Sequence, residues 1–153
     1  MRVSDAVRSF VFHLARWADH VHVRLAGETA ELSRRLGPRQ QLWRAEELAA
    51  RWGLDAAELG EGETGMLMDE AAAARLPLPS ADVLIDYARR AFAASQEAVD
   101  AIDEAQFAAP REDDEPSKPV GETVVSHLVH NNRHLGEIEC LRALLGLRGS
   151  ATR

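Results

Sequence analysis

The residues best suited to chemistry are histidines at close helical spacing. His130 and His134, in VSHLVHNNRHLGEIECLRALLG, are four positions apart. On a helix this puts two imidazoles one turn apart, about 6 Å, on one face. Two such rings can share one metal ion. At about 100° per residue, with Val124 at zero, His130 falls near 240° and His134 near 280°. Leu128, Leu135, Ile138, Leu141 and Leu145 fall between about 260° and 40°, the arc expected to face a core. The pair thus sits at the inner edge of an apolar stripe, where a polar ring needs a partner. His13 lies at the margin of a second stripe, formed by Phe10, Leu14, Trp17, Val21 and Leu25. Two histidines from one helix and one from a neighbour make a three-nitrogen site with open positions, the layout of a catalytic centre more than of a closed structural one. The pattern alone also allows a plainer reading, in which all three are satisfied beside a core. His20, His22 and His127 have weaker claims. His20 and His127 each lie two turns from His13 and His134, and His22 faces elsewhere. Cys140 is about 80° from His130 on the same wheel and has no base beside it. It reads as a buried, inert thiol.

The elements that must position these residues are helical. The chain of 153 residues holds 26 Ala but only 11 Val, 3 Ile and 4 Thr, a balance that favours helix over strand. The expectation is an all-α protein of one domain, residues 1–153. A first helical segment is expected over 5–36, interrupted near Gly27 and stopped by Gly37-Pro38. Residues 40–79 read as two short helices and an irregular connection containing the Gly-rich GEGETG. A helix over 81–104 has Ser80 as its expected N-cap. Residues 108–119, AAPREDDEPSKP, read as a solvated connector. The last helix is expected over 121–147, ending near Gly146 and Gly149.

Composition excludes some roles. A net charge of −7 argues against nucleic acid or an anionic membrane as partner. No apolar run reaches the roughly 18–20 residues that span a bilayer, and the N-terminal stretch lacks the features of a signal peptide. One cysteine excludes an intramolecular disulfide, so a cytoplasmic location is expected.

Two stretches carry a family resemblance. HLVHNNRHLGEIECLRALLG looks like the last-helix signature of the DinB-like metalloenzymes: a His, three residues, a His, then a Leu-Arg-x-Leu-Leu-Gly ending. FVFHLARWADHVHVRLAG looks like the same family's helix bearing the first metal histidine. The middle, with Trp43, Trp52-Gly53-Leu54 and LPLPSADVLIDYARRA, is similar to one subgroup, and the resemblance spans about residues 6–149. The family is a superfamily of four-helix bundles, unrelated to the DNA polymerase sharing its name. It includes thiol transferases that use bacillithiol, mycothiol or glutathione.

The resemblance implies that His13, His130 and His134 hold a divalent metal, zinc or nickel foremost, with Arg16 and Asp19 as an orienting pair. It implies an enzyme that activates a low-molecular-weight thiol, such as mycothiol, for attack on a small electrophile. Trp43, Trp52 and Met66 are candidate substrate contacts. Thiol-assisted isomerisation of the maleylpyruvate type, or metal or ligand binding without turnover, are the alternatives. Family members normally have a long helix before the one bearing the first histidine, whereas only about five residues precede the first segment here. This implies a bundle with its first helix lacking or shortened, and either a homodimer covering the exposed groove or a true start further upstream.

Overall fold

The computed structural model describes residues 3–113 and 115–148. Asp114 and Gly149, counted above in a connector and a helix end, lie outside them. Three long helices dominate: α1 (Val3–Gly27), α6 (Ala81–Asp100) and α8 (Val120–Leu144). Between α1 and α6 come α2 (Ala30–Leu36), α3 (Leu42–Ala45), α4 (Leu48–Arg51), a 3₁₀ turn (Ala56–Glu58) and α5 (Glu70–Arg75). A short α7 (Glu104–Ala108) precedes α8. Among the described residues there is no strand, only two isolated bridges. The all-α expectation holds. The 40–79 stretch is more helical than expected, with three short α-helices and the turn.

Local signals explain the boundaries. α1 stops at Gly27, and Thr29 caps α2 by accepting from the Leu32 N–H. Gly37 closes α2 with φ +70°, a left-handed conformation that glycine adopts without penalty. Asp103 and Gln106 form a reciprocal capping box on α7. Ser80 occupies the N-cap position of α6, but its side chain makes no capping hydrogen bond.

α1 is the central element and packs against both α6 and α8. It is therefore buried on two faces. Phe12, Ala15 and Ala18 join Trp43, Leu48, Leu84, Tyr87 and Ala91 in one core. Val21 and Leu25 join Leu32, Ala98 and Val120 in another, against which Trp17 and Val124 pack. The single stripe read from the sequence describes only the second of these faces.

α6 and α8 flank α1 and leave an open groove between them, of about 800 Å³, walled by Phe92, Val99, Val124 and Leu128. Leu128 and Leu135, expected in the core, are 60% and 49% exposed. Leu128 lines that groove, and no described element covers either side chain. Leu145, also expected to face the core, is exposed past the end of α8. Cys140 is exposed rather than buried. The wheel puts it about 160° from Val124, facing away from α1.

The acidic connector is not freely solvated. Arg111 is 4% exposed, the Glu112 N–H donates to the Glu28 carbonyl at 2.9 Å, and Pro110 bridges Pro119. The segment is tied down because Arg111 inserts beside the buried carboxylate of Glu28.

Candidate metal centre

His13, His130 and His134 line one cavity of about 440 Å³, with Trp17, Met66 and Gly65 on its walls. α1 supplies His13 and α8 the other two, and the loop at 61–66 closes the side.

His13 is held by that loop. Its Nδ1–H donates to the Thr64 carbonyl at 2.7 Å. A carbonyl can only accept, so Nδ1 carries the hydrogen and Nε2 keeps its lone pair. Ser9 Oγ donates weakly to that Nε2 at 3.3 Å. Gly65 lies against the ring: a Cβ there would come within 1.7 Å of it, and φ is +85°. Only glycine fits such a close approach in this conformation. Burial holds the His13 pKa below its ordinary value, against the opposing pull of the Thr64 carbonyl.

His134 is oriented in the same way. Its Nδ1 donates to Glu137 Oε2 at 2.5 Å, leaving Nε2 free. A histidine whose outer N–H is held by a carbonyl or carboxylate is the usual arrangement behind a metal ligand. His130 stacks on Trp17, with centroids 4.4 Å apart, and meets His134 edge-on at 4.5 Å. Burial first, then its His134 and Arg133 neighbours, push His130 down to about 4. It is thus neutral at pH 7, the form that binds metal.

The donor type of all three, and the tautomer of His13 and His134, suit a divalent ion of the nitrogen-binding kind. The rings as they stand do not form a finished cage. Among the described residues, no group of three or more His, Cys, Asp or Glu side chains is disposed to hold an ion. The three share the wall of one cavity.

Arg16 and Asp19 lie behind this wall. Both are buried, and Arg16 NH1 donates to Asp19 Oδ2 at 3.3 Å. Arg16 also donates to the carbonyls of Gly62 and Glu63, so it holds the loop that holds His13. Its guanidinium lies 4.6 Å over the Trp43 ring. Asp19 accepts from the backbone N–H groups of Leu42 (2.7 Å) and Trp43 (2.8 Å), and from Tyr87 Oη (2.8 Å). The pair positions elements and touches no cavity space.

Met66 is on the cavity wall. Trp43 and Trp52, expected there, are not: Trp43 is 1% exposed in the core, with Trp52 packed against it. Trp43 Nε1 donates to Glu63 Oε2 at 2.6 Å, so the indole supports the loop from behind. His22 is bound to Asp19 at 3.0 Å, His127 lines the α6–α8 groove, and His20 sits at the cavity rim beside Gln41. Sequence reasoning missed Glu137, although its spacing of three from His134 places it on the next turn. It also missed Gly65 and Thr64, which no local pattern links to His13.

The match to the family model for the DinB superfamily runs over residues 7–138, most of the chain. The chain belongs to the DinB superfamily. No curated protein and no solved structure matches it significantly. Among the described residues no helix is long and apolar enough to cross a membrane.

Proposed function

We propose that this DinB-superfamily protein is a divalent-metal-dependent transferase acting on a low-molecular-weight thiol, such as mycothiol, and a small electrophile. His13, His130 and His134 would hold the ion, zinc or nickel foremost. The observation that carries the reading is the anchoring of His13 and His134 on a shared cavity wall: each gives its Nδ1–H to an acceptor and keeps a lone pair on Nε2, met at His13 only by a long bond from Ser9 Oγ. A divalent ion in that position supplies positive charge that lowers the pKa of a thiol brought to it.

The chain's own residues do the rest. Trp17 and Met66 give the cavity an apolar lining. Arg16, through Gly62 and Glu63, keeps the loop closed on His13. The thiolate sulfur would form the new bond to carbon, the electrophile's leaving group would depart with the electron pair, and the thiol proton would pass to solvent. A low-molecular-weight thiol stays reduced in the cytoplasm, where this reading places the protein.

Elemental analysis of the purified chain tests the reading. We expect near one equivalent of divalent metal per chain, lost in a His130→Ala/His134→Ala variant that keeps its helical circular dichroism. No metal in either protein, after incubation with zinc, nickel and manganese, overturns it. With metal bound, consumption of a thiol that depends on the electrophile marks a transferase. Catalytic recovery of the thiol marks an isomerase, and neither marks a binding protein without turnover.

A further inference from the structure

We infer that Glu63 is a positioning residue for the candidate metal centre. By fixing the Thr64 carbonyl it sets the tautomer of His13, and its effect on a bound ion rests on the metal reading above. Glu63 is not on the cavity wall. Its φ is +58°, a left-handed conformation uncommon for a residue with a side chain. Its neighbours Gly62 and Gly65 are left-handed too, but they carry no such penalty. A strained residue of this kind persists only where its surroundings over-determine it.

Glu63 is held at both its side chain and its backbone. The carboxylate accepts from Trp43 Nε1–H at 2.6 Å, with an Arg44 nitrogen at 3.4 Å. The carbonyl accepts from Arg16 Nε–H at 2.9 Å. Trp43 and Arg16 are each 1% exposed. Both are tied to Asp19, Trp43 by its backbone N–H and Arg16 by its guanidinium. The anchors are therefore parts of the core and not mobile surface groups. A carboxylate on a buried indole N–H is also a charge-assisted bond, the stronger kind.

The next peptide carries the constraint to the ring. The Thr64 carbonyl accepts from His13 Nδ1–H at 2.7 Å. The Thr64 N–H and hydroxyl both donate to the Glu61 carbonyl, at 3.1 and 2.7 Å, and the Gly65 N–H donates to the Leu59 carbonyl at 2.7 Å. The peptide that bears the Thr64 carbonyl is thus held on both sides. With that acceptor fixed, the hydrogen stays on His13 Nδ1 and the lone pair on Nε2. Which ring nitrogen is free to bind a metal is set by the bond the other makes. Asp19, Trp43, Glu63, Thr64 and His13 form a continuous series in which every link is a hydrogen bond or a peptide bond. It runs from the core to the cavity.

Nitrogen NMR of the neutral imidazole rings in the metal-free chain, together with zinc titration calorimetry, tests the inference. Glu63→Gly removes the side-chain anchor yet suits a φ of +58° better than Glu does. If Glu63 mattered for backbone conformation alone, this variant would be neutral or better. We expect the reverse. The His13 signal, assigned by its loss in His13→Gln, should move from the Nδ1–H tautomer to a mixture. Zinc should bind about tenfold more weakly, the low end for groups that orient a metal-bound histidine, with helical circular dichroism unchanged. Glu63→Gln keeps an acceptor for Trp43 and should retain the tautomer and most of the affinity. A His13 tautomer unmoved by Glu63→Gly overturns the proposal, whatever zinc does. A tautomer that moves while zinc affinity stays the same overturns the link to the ion. If the unaltered chain binds no zinc but the tautomer still moves, the metal reading falls and Glu63 stands as the residue that positions His13.

Discussion

Asp19 and Glu28 lie nine residues apart, one within α1 and one just past its end, and are hidden to the same degree, 0% and 1% exposed. Their chemistry differs. For Asp19, burial pushes the pKa up, but hydrogen bonds from His22, Trp43, Leu42 and Tyr87 outweigh it and hold the carboxyl below its usual range. For Glu28, burial wins over Thr123, Arg111 and Arg24, and the carboxyl stands above its usual range. Glu28 Oε2 has no hydrogen-bond partner. Burial alone therefore does not set the charge state. What decides is how many fixed donors reach the carboxylate, and backbone N–H groups are the most fixed of these. Asp19 ties α1, α3 and α6 together behind the candidate metal centre. Glu28 ties α1 to the acidic connector and α8.

The largest expected effect comes from breaking the Asp19 side of this comparison. Asp19→Ala leaves Arg16 buried without its carboxylate and leaves the N–H groups of Leu42 and Trp43 unpaired. We expect a loss of about 3–5 kcal/mol in urea unfolding. A loss under about 1 kcal/mol would mean that the node is dispensable.

Next in size is Gly65→Ala. The added methyl collides with the His13 ring, and φ is +85°. We expect about 1–3 kcal/mol of destabilisation and weaker metal binding, read by calorimetry with zinc.

Glu28→Gln should cost less, about 1–2 kcal/mol at pH 7. Arg111 keeps Asp113 and Glu115, and the amide oxygen can still accept from the Thr123 hydroxyl.

The smallest effect, and the sharpest on the comparison, is the pH dependence. A depressed carboxyl such as Asp19 contributes stability that is present above its unfolded pKa and lost as pH falls through the folded value. A raised carboxyl such as Glu28 contributes stability that is full below the unfolded pKa and lost as pH rises through the folded value. Asp19→Asn should therefore flatten the acid limb of a stability–pH curve. Glu28→Gln should instead remove a decline just above the usual carboxylate range. If both variants shift the curve in the same direction, the contrast drawn here is wrong.

Several features were legible because they depend on neighbours in the chain. The helical period, the interruption at Gly27, the stop at Gly37-Pro38 and the shared face of His130 and His134 all follow from spacing within one or two turns. Family membership was legible for the same reason, since its signatures are local runs on α1 and α8. Other features needed the third dimension. Trp43 was expected on the cavity wall, and Tyr87 with Glu63 shows why it is not: they reach it from α6 and the Gly-rich loop, 44 and 20 residues away. Cys140 and Leu128 were expected inside because an apolar wheel shows which side of a helix could be buried, not whether anything covers it.

The amino-acid order alone determined that the chain is helical and that its histidines fall at metal-binding spacing, because a helix converts a four-residue interval into a fixed distance. Only the tertiary structure decided that Asp19 is charged and Glu28 strained toward neutrality, that the loop at Thr64 and Gly65 orients His13, and that one side of α8 lies bare. Each of these depends on which donors or side chains arrive from distant parts of the chain, and helical periodicity carries no record of them.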